Sequence, residues 1–471
     1  MTTRSKASAI VLLIATTAFV AAVVARLLDD RAPYFASAEE HFKYGSIGTG
    51  YQDALPYWIW QALPRVFADK LPGPGGYSSF GIVWEPGREL PVGFSKRNVL
   101  GLPGVGINCA VCHTATFRTS ATAARTVVAG GPAHQMDSQG YLRFIVDCAD
   151  DPRFTPDRLL AEIETMTDLS WLDSLTYRYV VIPTARRLIR QRRIGESWME
   201  KRPAWGRGRI DPFNPVKFRM LKLPLDETIG NSDMMSVWNM KSRQGMALHW
   251  DGLSTSLRDV VISSALGDGA TPRSIDVASL DRIEEWILSR PAPPYPFPID
   301  GPLAALGEPI FTRMCAECHA SAGKRTGTVV PVDEIGTDRH RLDMWTREAG
   351  ETYNAFGDGY PWDMTGFRKT NGYVAVPLDG LWLRAPYLHN GSVPYLGEIV
   401  ERSENRTPVF YRGYDVYDPA RVGFVASGPE AERAGSRYDI RQPGNSNAGH
   451  IYGTDLSADD KRALIEYLKT L

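Results

Sequence analysis

The sequence predicts a helix-bearing, loop-rich chain laid out as two halves of one plan behind an N-terminal apolar helix. Three observations carry this. Gly and Pro number 43 and 33 in 471 residues, which favours irregular structure wrapped around something bulky over a regular bundle or sheet. One five-residue word, Cys-x-x-Cys-His, occurs at residues 109–113 and again at 315–319. Each half then closes on an amphipathic helix that carries an aromatic residue.

The elements follow in order. Arg4 and Lys6 precede an uncharged run, "ASAIVLLIATTAFVAAVVA", from Ala7 to Ala25. As a helix it spans about 28 Å, near the thickness of a bilayer's hydrocarbon core. Residues 1–30 are therefore expected to form an uncleaved signal anchor, a transmembrane helix; the alternative is a signal peptide cut after Ala25. Positive charge on the leading side places the remainder across the inner membrane, in the periplasm. The first domain is expected over 31–290, closing with "SLDRIEEWILSR", in which Leu280, Ile283, Trp286 and Ile287 share one helical face. Residues 291–300 hold five prolines and read as a stiff linker. The second domain, 301–471, ends in "LSADDKRALIEYLKTL", with Ser457 and Asp460 in a capping pattern and Leu464, Tyr467, Leu468 and Leu471 in one stripe. A net charge of −1 offers no basic field for nucleic acid. The one dense basic stretch, "RRLIRQRR" at 186–193, reads as a solvated helix face or as a docking patch for an acidic partner.

In a helical turn Cys109, Cys112 and His113 stand at i, i+3 and i+4, so all three side chains face one way. Cys315, Cys318 and His319 repeat the arrangement. Two thioether bonds to a haem's vinyl groups, with the histidine reaching the iron, need that geometry, and the word is the attachment signal for c-type haem. Zinc would more naturally pair two Cys-x-x-Cys units without a histidine after both, and a redox pair needs no histidine at all. Two covalently bound c-type haems are the expected cofactors. Cys148 stands apart and reads as a buried structural thiol. Whatever fills the sixth position of each iron decides between oxygen chemistry and electron transfer. Six histidines remain, among them His249 in "MALHWDG", His389 in "APYLHNGS" and His450 in "NSNAGHIYG".

The two haem words, with "WNMKSRQGMALHWDG" between them and "LRAPYLHNGSVPYL" after the second, resemble the bacterial di-haem cytochrome c peroxidase superfamily. "HFKYGSIGTG" near the start and "PGNSNAGHIYGTDLS" near the end look more like its rubber-oxygenase branch, di-haem enzymes that cleave polyisoprene with molecular oxygen. The resemblance implies a mainly α fold: two cytochrome c-like haem domains with extensive irregular loops, their haems facing each other. It implies that Trp250 lies between the haems and relays electrons. Peroxidases ligate the second haem with a methionine after the "APY-x-H-x-G" motif, but no methionine follows Leu388 here. The oxygenase branch uses a histidine near the C-terminus, which His450 matches. The second haem is thus expected as His319/His450, with His389 the runner-up ligand, and two imidazoles hold its potential low.

The first haem departs from the peroxidase pattern. The stretch "LDETIGNSDMM" lacks the capping histidine, so this haem is expected open on its distal side. Val260 stands near the position of the peroxidase glutamine, and no glutamate follows. An apolar pocket with Ala265 and Leu266 close by suits oxygen or an apolar substrate. The catalytic phenylalanine of the rubber oxygenases is missing too. Trp250, His249, Asp268 and Leu266 are the candidate catalytic residues, with His249 an alternative ligand of the first iron. The expected function is a di-haem c-type cytochrome oxidoreductase. It would take O2 or H2O2 at the first haem and act on a small apolar substrate, with a small redox protein as a further partner. A pure electron carrier and a cytochrome c peroxidase are the alternatives.

Overall fold

A computed structural model describes residues 28–50 and 54–471 and, before them, 13–14, 16–18, 20–21 and 24–26. Much of the expected anchor therefore lies outside the described residues. Among the described residues no helix is long and apolar enough to cross a membrane.

The expectation of a mainly α chain is corrected to a mixed one. Helices alternate with thirteen short strands among the described residues, paired in one three-stranded and five two-stranded antiparallel sheets. The physical reason lies in the Gly- and Pro-rich segments: buried loop backbone must still pair its N–H and C=O groups, and short ladders do this where helices cannot form. The largest sheet sets Leu102–Ile107 between Phe94–Val99 and Leu55–Pro56, with Phe94 opposite Ile107 and Leu55 opposite Val105. It leads directly into the first pentad.

In the first half, helices Tyr57–Val66, Ser138–Asp150 and Pro156–Ile163 pack around Trp60, Phe144 and Leu159, all nearly inaccessible. A continuous helix from Trp171 to Glu196, with a π-turn at Tyr177–Val181, crosses them. Helix Val277–Ser289 buries Leu280, Ile283, Trp286 and Ile287, the four positions its periodicity marks. Residues 290–300 form no helix or strand. They are not loose, since Trp382 Nε1 donates to Pro293 O at 2.9 Å and Phe297 stacks on Tyr417 at 5.5 Å.

The second half is framed by helices Gly301–Met314 and Ala458–Leu468. The latter is capped as its sequence indicates, with Ser457 Oγ accepting from Asp460 N at 3.1 Å. The two helices touch at Gly307, where a Cβ would lie 2.0 Å from Ala463 O, so only glycine allows this approach. Buried ion pairs lock the halves together. Arg412 with Asp233 and Arg341 with Asp251 are each almost fully enclosed.

Candidate haem centres

The first pentad follows the sheet through Asn108, whose side chain accepts from Ala110 N at 3.0 Å and donates to Gly45 O at 2.9 Å. This cap starts a 3-10 turn at Cys109, and Cys112 N and His113 N both point back to Cys109 O. The turn brings the thiols and the ring together, as the spacing requires. His113 Nδ1 donates to Met235 O at 2.7 Å, which leaves Nε2 for a metal. The second pentad repeats this. Cys318 N and His319 N point back to Cys315 O, and His319 Nδ1 donates to Val376 O at 2.8 Å.

The described cysteines form no disulfide. Burial pushes the Cys315 thiol up to about 11 and the Cys109 and Cys112 thiols higher still. Neutral thiols three apart in a turn fit thioether formation better than thiolate coordination, and among the described residues no group of three or more His, Cys, Asp or Glu is arranged to hold a metal by itself.

A cavity of about 250 Å³ opens beside the first pentad, with Cys109, Cys112, His113, His249, Trp250 and Asp268 in its wall. Helix Leu257–Gly267 lines it with Leu257, Val260, Val261 and Ser264. Ser256 starts this helix by accepting from Asp259 N at 3.1 Å, and Asp259 in turn takes Thr365 N and Gly366 N. Asp268, just past the helix end, borders both this cavity and an adjoining one of about 440 Å³. Burial alone pushes its carboxyl up to about 7. Leu266 lines the second cavity and not the first. The adjoining cavity is enclosed by one face each of helices Ser138–Asp150 (Tyr141, Leu142, Ile145) and Ile182–Glu196 (Ala185, Ile189).

His249 takes a left-handed backbone, φ 62°. Its ring meets Phe213 edge-on at 5.4 Å, and its Nε2 is buried without a hydrogen-bond partner. Burial lowers it to about 4, so the imidazole is neutral.

At the second pentad the ring of His450 stands opposite His319, their centroids 6.2 Å apart. Metal–imidazole bonds of ~2.0–2.1 Å, plus ~1.1 Å from nitrogen to ring centre on each side, sum to the same separation, so the pair fits one iron held between two rings. Burial lowers His450 to about 3, the neutral form a metal needs. His450 is presented by a loop that Arg406 clamps from within, donating to Gly449 O at 2.9 Å and His450 O at 3.1 Å and also to Asn447 O. Gly449, φ 77°, passes so close to Gly336 that no Cβ fits. The runner-up, His389, is elsewhere: it stacks on Tyr373 at 3.9 Å, with its Nε2 buried and unpartnered.

Trp250 is tied to chain segments that reach both pentads. Its Nε1 donates to Asp233 O at 2.8 Å and its C=O accepts from Val374 N at 2.8 Å. Two residues beyond Asp233 is Met235, the acceptor of His113; two beyond Val374 is Val376, the acceptor of His319. Two extended segments thus each hold one histidine and one side of the tryptophan. Asp233 N also donates to His389 O, and the Asp233 carboxyl, which burial pushes up to about 6, is tied to Arg412. Sequence reasoning missed Asp233, Met235, Val374, Val376 and Arg406. All except Asp233 and Arg406 act only through backbone groups, which leave no signature in residue type.

The arginine-rich stretch is largely satisfied within the chain. Arg186 donates to Ala149 O and Asp151 O, Arg190 and Arg193 pair with Asp150, and Arg192 pairs with Glu196.

Residues 372–411, which include Val374, Val376 and His389, match the family of RoxA-like, cytochrome c-like domains. Two uncharacterized proteins of Sinorhizobium fredii (strain NBRC 101917 / NGR234) are similar to the chain. The one called y4iM is 31% identical over 51% of this chain and 64% of its own length. The other, y4iJ, is 24% identical over 89% of each. This chain therefore spans less than two thirds of the first relative. Taken with the pentads, the similarity of residues 372–411 to RoxA-like domains marks a haem-binding cytochrome with covalently attached haem.

Proposed function

We propose that the chain is a di-haem c-type cytochrome oxidoreductase of the di-haem peroxidase superfamily, nearest the rubber-oxygenase branch, acting on the periplasmic side of the inner membrane. Cys109, Cys112 and His113 would hold one haem in the cavity they line, and Cys315, Cys318, His319 and His450 would hold the other. The observation that carries this reading is the 6.2 Å between the rings of His319 and His450. Haem held at the first site supplies the binding and reduction of O2 or H2O2, chemistry that side chains lack. The chain's own residues do the rest. Leu257, Val260 and Val261 keep water from the reacting volume. Asp268, with its carboxyl near 7, holds or yields a proton at the junction of the two cavities. The larger, mostly apolar cavity offers room for a small apolar substrate next to Cys112. Trp250, fixed at its indole N–H and its carbonyl, stands in the electron path between the centres.

A second reading, a pure electron carrier with His249 capping the first iron, draws on the presence of His113 and His249 in one cavity wall. The buried, unpartnered Nε2 of His249, on a ring kept neutral by burial, is in keeping with such a cap. Low-temperature EPR of the oxidised protein separates the two. One high-spin and one low-spin ferric signal supports the oxidoreductase; two low-spin signals that persist after partial reduction support the carrier.

A further inference from the structure

The helix that begins at Trp171 is apolar on the wrong side. Its inner face, Tyr177, Val181, Ile182, Ala185 and Ile189, is buried in the first-half core. Its outer face should then be polar, and from Arg187 onward it is mainly so, with Arg187, Arg190, Gln191 and Arg193 exposed and Leu188, 48% exposed, an apolar exception. Over the first ten residues it is not. Trp171 is 73% exposed, Tyr179 71%, Val180 58% and Leu175 44%. Trp171, Leu175 and Tyr179 are spaced four apart and form one stripe. An exposed apolar stripe of this size on a folded chain marks a contact surface.

What covers it is indicated by its neighbour. Arg26, at the end of the apolar run Ala7–Ala25, donates to Gly101 O at 3.3 Å and pairs with Asp173. The run therefore meets the folded protein between the tip of the Phe94–Ile107 hairpin, where Leu100 is 66% exposed, and the first turn of this helix. Val24 and Leu28 are exposed at the same place. At its edge stand Arg31, whose carbonyl accepts from Asn98 N of the hairpin, and Arg178 on the helix itself, both exposed. Aromatic residues with arginines at the edge of an apolar face are the composition of a membrane–water interface. The change from apolar to charged along the helix then marks where it leaves that interface.

We propose that Trp171, Leu175, Tyr179 and Val180, with Leu100 of the hairpin tip, rest in a lipid bilayer beside the N-terminal apolar segment. This second contact lays the folded part against the membrane in one orientation. The proposal does not depend on the haem assignments.

The test is lipid photolabelling of the full-length protein in phosphatidylcholine vesicles that contain a phosphatidylcholine with a diazirine in its acyl chain. Peptide mass mapping is expected to find adducts on residues 171–180 and on the hairpin tip as well as on the apolar run. In the triple variant Trp171→Glu, Leu175→Glu, Tyr179→Glu the adducts on 171–180 are lost, while the far-ultraviolet circular dichroism is unchanged because these side chains lie on the helix's exposed face. Adducts confined to the apolar run would overturn the proposal. So would a benzoylphenylalanine placed at Tyr179 that, on illumination, cross-links to a second copy of the chain or to residues before Val24 and not to lipid.

Discussion

Arg406 offers the sharpest test of how the second centre is built. It is 2% exposed, and its guanidinium donates to carbonyls of Glu398, Glu401, Asn447, Gly449 and His450. Arg406→Met keeps the apolar stem and removes the donors. Three of the lost bonds hold the loop that presents His450, and bonds to a charged donor contribute ~1.5–3 kcal/mol each. Part of this is offset, because burying a guanidinium costs several kcal/mol. The net loss is then about 2–4 kcal/mol, or roughly 5–15 °C in melting temperature for a unit of 150–250 residues. The expected signature is specific. With its loop released, His450 leaves the iron in part of the population, and the low-spin ferric signal of the second haem gives way in part to a high-spin one. A variant that melts earlier yet keeps its full low-spin signal would refute the reasoning, since the loop would then hold His450 without the clamp.

Four further outcomes follow from the same geometry. His450→Ala turns the second haem fully high-spin in EPR, and an unchanged spectrum removes the ligand assignment. Asp268 has a folded-state pKa raised to about 7, above its unfolded value, so its contribution to stability falls as pH rises from about 4 to 7; Asp268→Asn removes that fall, and thermal melts of the two proteins diverge by up to ~4 kcal/mol between pH 4 and pH 8. Trp250→Phe drops the donor to Asp233 O, costs ~1 kcal/mol in denaturant titration, and slows electron exchange between the haems after flash reduction. Gly307→Ala forces a Cβ into Ala463 O and parts the two framing helices, lowering stability by ~1–3 kcal/mol in the same titration.

Legibility in the sequence tracked the range of the interaction. The pentads are readable because i, i+3 and i+4 positions meet in any helical turn. The Leu280–Ile287 and Leu464–Leu468 stripes are readable because one buried face imposes its period. Asp268 was singled out as a polar group in an apolar stretch, and that isolation is the cause of its raised pKa. The short strands escaped notice because two to six residues carry too little alternation, as at Leu55–Pro56. The carbonyls of Met235 and Val376 escaped because any residue has a carbonyl; their role is fixed by where distant chain segments pass. Arg406 was invisible for a different reason: an arginine is ordinarily a surface residue, and only the folded loop encloses it.

The paired segments at 233–235 and 374–376 have one more consequence. In each, two residues of extended chain, about 6.6 Å, set the offset between a histidine's anchor and the tryptophan's. A ligand entering the cavity, or a breathing motion of the helix Leu257–Gly267, pushes on side chains and leaves that offset unchanged. If either segment shifts as a body, its histidine and the indole shift together. On the proposed function, the gap an electron would cross is thereby insulated from the shape of whatever the cavity holds.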